Sequence, residues 1–177
     1  MAKCLPSALL VFGLILGRAE AQFVCYIPQV VDGLDDQQHI FASTISFLNL
    51  STTSSAAVVI ELKGDDGSSY RRLGVRAVSP PAIMQRTASR QFVLPPGGTE
   101  MVGTLGAFGA GTLETFGIDA SDPVTAWAKI ESTSEIGVVA TLQYTDAMTG
   151  DVITSTSVSG IFKAQVLNHR PKRLLRT

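Results

Sequence analysis

The sequence predicts an all-β fold, a small antiparallel sandwich built from about seven to nine short strands. Three observations carry this. Ser and Thr supply 31 of the 156 residues from Gln22 onward, and the apolar residues are mostly Val, Ile, Leu and Ala in short runs, which suits pleated, half-buried surfaces better than helices. Apolar and polar residues alternate within those runs. Gly, Pro and Asp-rich turns separate them at short intervals.

The first element is not a strand. Met1 to Ala21 has a short start with Lys3, an apolar stretch from Leu5 to Leu16, and Ala19-x-Ala21 at its end. The apolar stretch falls short of the roughly 20 residues that span a bilayer, and small residues at that spacing are what a signal peptidase accepts. Residues 1–21 are therefore expected to be a signal peptide, 22–162 a β-sandwich domain and 163–177 a basic tail. No transmembrane segment is expected after signal cleavage. The protein should be exported, to the periplasm, the cell surface or the medium.

Nine candidate strands follow: Val24 to Val31, His39 to Leu48, Ala56 to Lys63, Ser69 to Leu73, Arg90 to Leu94, Thr99 to Leu105, Val124 to Ser132, Ile136 to Thr145 and Val152 to Phe162. In Val124 to Glu131 the set Val124, Ala126, Ala128, Ile130 shares a face opposite Thr125, Trp127, Lys129, Glu131; in the next strand Val138, Ala140, Leu142 and Tyr144 do the same. Asp66-Gly67 supplies a pair that tolerates positive φ in a tight turn. Pro95-Pro96-Gly97-Gly98 and Asp146 to Asp151 are the other two turns, and all three are expected to join neighbouring antiparallel strands. Gly74 to Thr87, Gly106 to Thr112 and Phe116 to Pro123 read as irregular segments.

Charge and cysteine count narrow the function classes. Beyond the signal, Gln22 to Phe162 holds 7 basic and 14 acidic residues, whereas the tail from Lys163 holds five basic residues and no acid. That balance excludes a basic nucleic-acid binder. Cys4 leaves with the signal, so Cys25 is an unpaired thiol; the reading adopted is a thiol partly buried on the first strand, with intermolecular pairing as the alternative.

Tyr26-Ile27-Pro28-Gln29-Val30-Val31-Asp32-Gly33, Phe47-Leu48-Asn49, Leu94-Pro95-Pro96-Gly97-Gly98, Ala126 to Ser132 and Gly137 to Ala140 occur in an order that resembles an uncharacterised immunoglobulin-like β-sandwich module of exported soil-bacterial proteins, notably of acidobacteria. The resemblance spans roughly Tyr26 to Phe162. It implies an immunoglobulin-like build and a bacterial source, and supplies no catalytic residue. Leu34 to His39 departs from the family's usual glycine run, and Ala110 to Pro123 looks longer than the corresponding stretch.

Catalytic patterns are scarce. The two histidines are His39 and His169, no Gly-x-Ser-x-Gly elbow occurs, and nothing local supports a Cys25–His39 nucleophile pair. Asp32, Asp35 and Asp36 are the first candidates for a calcium site, though their order lacks the spacing of an EF-hand; no other cofactor is expected. Trp127, Phe108 and Phe116 are the candidate ligand-binding aromatics, with a packing role the alternative for Trp127. Asn49-Leu50-Ser51 fits a glycosylation sequon that means little in a bacterial protein. The expected function is a non-catalytic exported module that binds a protein or glycan partner at the cell surface, or assembles there by strand addition or a Cys25–Cys25 bridge. The alternative is a small secreted enzyme or inhibitor using Cys25 or an acidic cation-binding loop.

Overall fold

The computed structural model describes residues 23–35, 38–76, 84–118 and 124–162. Residues 1–21, expected from the sequence to be a signal peptide, lie outside the described residues, as do Asp36, Asp119, Asp122 and the basic stretch from Lys163. The chain is mostly antiparallel β-sheet. Its strands are β1 (Phe23–Leu34), β2 (His39–Asn49), β3 (Ala56–Lys63), β4 (Leu73–Arg76), β5 (Met84–Thr87), β6 (Ser89–Leu94), β7 (Thr99–Gly103), β8 (Val124–Ser132), β9 (Ile136–Asp146), β10 (Val152–Ser159) and β11 (Ile161–Phe162). A helix, α1 (Ala110–Thr115), follows a 3-10 turn at Leu105–Phe108.

Apart from β4 and β5, which form a two-stranded sheet of their own, the strands form two layers that share β1. One layer runs β11-β1-β8-β3-β6; the other places β9 on one side of β2, with β10 beyond it, and β7 on the other. β1 passes between them: its length pairs with β8, but Gly33 and Leu34 pair with Phe41 and Ile40 of β2. The register shifts between Ile27 and Val30, where Pro28 has no N–H to give the ladder, so the strand bulges and bends there.

Alternation dictates the core. Ala126, Ala128 and Ile130 of β8, Val58, Ile60 and Leu62 of β3, and Ile45, Phe47, Val138 and Ala140 of β2 and β9 are all buried. Phe47 meets Phe92 edge-on across the layers at 5.1 Å between centroids, although β2 and β6 share no ladder. Burying a side chain of this size contributes about 1.5–3 kcal/mol.

Several expectations need correction. Pro95 to Gly98 joins strands of different layers, because β6 pairs with β3 whereas β7 pairs with β2. Asn49 fixes this crossing: its Nδ2 donates to the carbonyls of Ser54 at 2.8 Å and Pro95 at 3.0 Å, and Gly98 accepts the Asn49 N–H. The turn at Asp66-Gly67 forms, with Gly67 at φ 80°, but Ser69 makes one bridge to Lys63 instead of a strand. The strand starts at Leu73, which is fully buried, and β4 pairs with β5 inside the stretch read as irregular. Val152 to Phe162 is two strands, divided at Gly160 and lying in opposite layers.

The other correction is helical. The strand expected to reach Leu105 ends at Gly103, since Thr104 turns inward: its N–H donates to the Ser43 carbonyl at 2.9 Å and its Oγ1 accepts the Ser43 N–H at 3.0 Å. After it, α1 ends in a Schellman closure. Gly117, at φ 64°, donates to the Glu114 carbonyl and Ile118 donates to that of Leu113. Leu105, Leu113 and Ile118 then bury against Ile40 and Ala42 as a second, smaller core.

Candidate functional site

Cys25 points into the main core and is 1% exposed. Burial pushes its thiol up to about 11, away from the thiolate that nucleophilic chemistry requires. Its Sγ packs against Gly160, where even a methyl group would collide. His39 is engaged elsewhere, with Asp35 and Tyr144, so the two halves of a Cys–His pair have different partners.

The acidic candidates separate in the same way. Asp32 is 3% exposed; its Oδ1 accepts the Gly106 N–H at 2.7 Å and its Oδ2 faces Arg72 Nη1 at 3.4 Å. Desolvation raises its carboxyl to about 6, against the opposing pull of the Gly106 N–H, the Thr104 hydroxyl and the Arg72 charge. Gly106 has no room for a side chain because the Phe41 carbonyl and Asp32 lie against it. Asp35 belongs to another cluster. Its Oδ1 accepts the His39 N–H at 2.7 Å, and its Oδ2 lies 2.8 Å from the Tyr144 hydroxyl, which is itself 2.7 Å from His39 Nδ1. Asp32 thus tethers β1 to the approach to β4, while Asp35 closes the β1–β2 connection against β9. Among the described residues no group of three or more His, Cys, Asp or Glu side chains is placed to hold a metal. Asp36 lies outside the described residues.

The three aromatic candidates do not share a surface. Trp127 lies on the outer face of β8, tilted against Tyr26 at 6.0 Å, with its Nε1 donating to the Gly64 carbonyl at 3.0 Å. That hydrogen bond gives the indole its polar partner within the chain. Phe108 covers Gly74 and Gly103, whose missing side chains make space for its ring. Phe116 takes the Arg86 guanidinium over its ring at 5.9 Å and joins the smaller core.

A different surface has the character of a contact site. On the outer face of β7-β2-β9, register aligns Met101, Ser46 and Val139 in one row and Thr99, Leu48 and Gly137 in the next. Met101 is 67% exposed, and Leu48 and Val139 are each 41% exposed. They border an open groove of about 700 Å³ that also touches Glu100. Sequence reasoning missed it. The alternation sets Val139 opposite Val138 and Ala140, away from the core, but only the pairing of three non-consecutive strands brings it together with Leu48 and Met101.

No family model matches the chain, and no curated protein matches it. A solved structure, the crystal structure of Thermotoga maritima 1070, is similar at 11% identity and a TM-score of 0.44, covering 81% of this chain and 97% of that one.

Proposed function

We propose that this chain is an exported, non-catalytic β-sandwich module of immunoglobulin-like build, whose outer β7-β2-β9 face binds a protein partner at the cell surface. The single observation that carries this reading is the cluster of exposed Leu48, Met101 and Val139 around one groove. Isolated apolar residues are ordinary on a surface, whereas a contiguous apolar patch rimmed by Ser, Thr and Glu is typical of a protein contact. The lining favours a protein over a glycan, since sugars stack on aromatic rings and this groove presents flexible Met and aliphatic side chains instead.

The enzyme alternative draws less support. The buried Cys25 thiol with its raised pKa is a poor nucleophile, and Asp32 and Asp35 are committed to separate internal partners. Retention on isolated cell envelopes of the producing organism tests the proposal. The wild type should be retained, and a Met101→Lys/Val139→Lys variant should lose about tenfold or more of that retention, since charge would enter a desolvated contact. Equal retention of both proteins, or hydrolytic turnover abolished by alkylating Cys25, would overturn it.

A further inference from the structure

A sheet edge exposes a row of backbone N–H and C=O groups, and natural proteins guard such edges with charge, proline or a covering segment. At the β6 edge Arg90 provides that guard, paired to Glu100 at 2.8 Å. Among the described residues β10 has no such device. Among the described residues it pairs with β9 alone, and every residue from Val152 to Ser157 is exposed. From Val152 to Ser159 there is no charge, proline or glycine. A register shift near Ile153 marks one end, and Thr154 to Ser159 then runs unbroken against Tyr144 to Val139.

We infer that β10 pairs antiparallel with β10 of a second copy of this chain, about a two-fold axis normal to the sheet through Thr156. This pairing is independent of what the groove binds. Three observations single out a second copy. The first is parity: Thr154, Thr156 and Val158 sit opposite Tyr144, Leu142 and Ala140 on the core-side face, and Ser155, Ser157 and Ser159 sit opposite Gln143, Thr141 and Val139 on the outer face. A two-fold through Thr156 preserves those faces. The second is residue matching, because it sets Thr154 against Val158, Ser155 against Ser157 and Thr156 against itself, hydroxyl-rich and β-branched pairs of the kind that stabilise neighbouring strands. The third is charge. No charged residue lies between Val152 and Phe162, so two copies of this edge can approach without like charges meeting. The same symmetry puts both grooves on one face of a continuous sheet, giving a bivalent surface.

The test compares sedimentation of the purified wild type with two edge variants. Ser155→Lys/Ser157→Lys places like charges opposite each other in the proposed register, whereas Ser155→Lys/Ser157→Glu places opposite charges there. Both change only exposed side chains, and far-ultraviolet circular dichroism verifies that each variant folds. The wild type should show a monomer–dimer equilibrium in the micromolar range; the double-lysine variant should dimerise about tenfold or more weakly, and the lysine–glutamate variant should recover the wild-type affinity to within about threefold. A wild type that remains monomeric up to about 100 μM, or two variants that weaken association equally, would overturn the inference. Neither result touches the groove, which the Met101→Lys/Val139→Lys variant tests separately.

Discussion

Gly160 lies against the Sγ of Cys25, closing over the thiol at the point where the chain leaves β10 in one layer and enters β11 in the other. A glycine is required there for space, since any Cβ would overlap the sulfur. Cys25 faces the core, and its backbone pairs with Phe162 of β11 just beyond that glycine.

Iodoacetamide should therefore leave Cys25 unmodified in the native protein and label it on unfolding. Gly160→Ala should destabilise by about 1–3 kcal/mol, and Cys25→Ala in the same chain should restore most of the loss, because the overlap needs both atoms. Denaturant unfolding of the two single variants and the double variant measures this coupling. Additive losses would mean that the sulfur and Gly160 do not meet.

Asp32 should set the acid limb of the stability profile. Burial raises its carboxyl from 3.8 to about 6, so between those values the folded state keeps a proton that the unfolded chain has lost. Stability should be fully present below about 4, fall as pH rises towards 6, and level off above, a change on the order of 3 kcal/mol. Asp66 and Asp146 act in the opposite sense, their carboxyls being lowered by hydrogen bonds from Ser68 and from Thr149 and Met148, and their effect lies below that window. Denaturant unfolding at successive pH values should show the slope in the wild type and lose it in Asp32→Asn; a slope that persists in the variant would assign it to another group.

Asn49 should be among the costliest polar residues to replace. It is 1% exposed, and its amide holds Ser54 and Pro95 while its Oδ1 accepts the Ser51 N–H at 3.0 Å. Asn49→Ala should cost about 2–4 kcal/mol in denaturant unfolding, since the carbonyls of Ser54, Pro95 and the buried Leu94 would lose their shared donor. Asn49→Ala within 0.5 kcal/mol of wild type, the usual range for a plain surface site, would contradict this role.

Local patterns made β2, β3, β8 and β9 legible. The alternation of Val58, Ile60 and Leu62 or of Ala126, Ala128 and Ile130 shows a buried face without knowledge of the neighbouring strands. What escaped was set by distant contacts. The break at Gly160 depends on Cys25, and the end of β7 depends on Ser43 meeting Thr104 across 61 residues of chain. α1 left one local signal: Leu113 and Ile118 flank Gly117 at the spacing of a Schellman closure, and the glycine-rich surroundings obscured it. The candidate site was less legible than the fold. Asp32 and Asp35 are close in sequence yet serve different clusters, and Arg72 and Tyr144 join those clusters from strands and turns far along the chain.

The account rests on the outer face of β7-β2-β9 being the contact surface, and photocrosslinking in cells tests that most directly. A photoreactive benzoyl-phenylalanine replaces, in turn, Met101, Val139, and Thr125, which is exposed on β8 in the other layer. Positions 101 and 139 should each yield the same discrete protein adduct, and position 125 should yield none. Adducts at 125 with none at 101 and 139, or the same adducts from all three positions, would contradict the account.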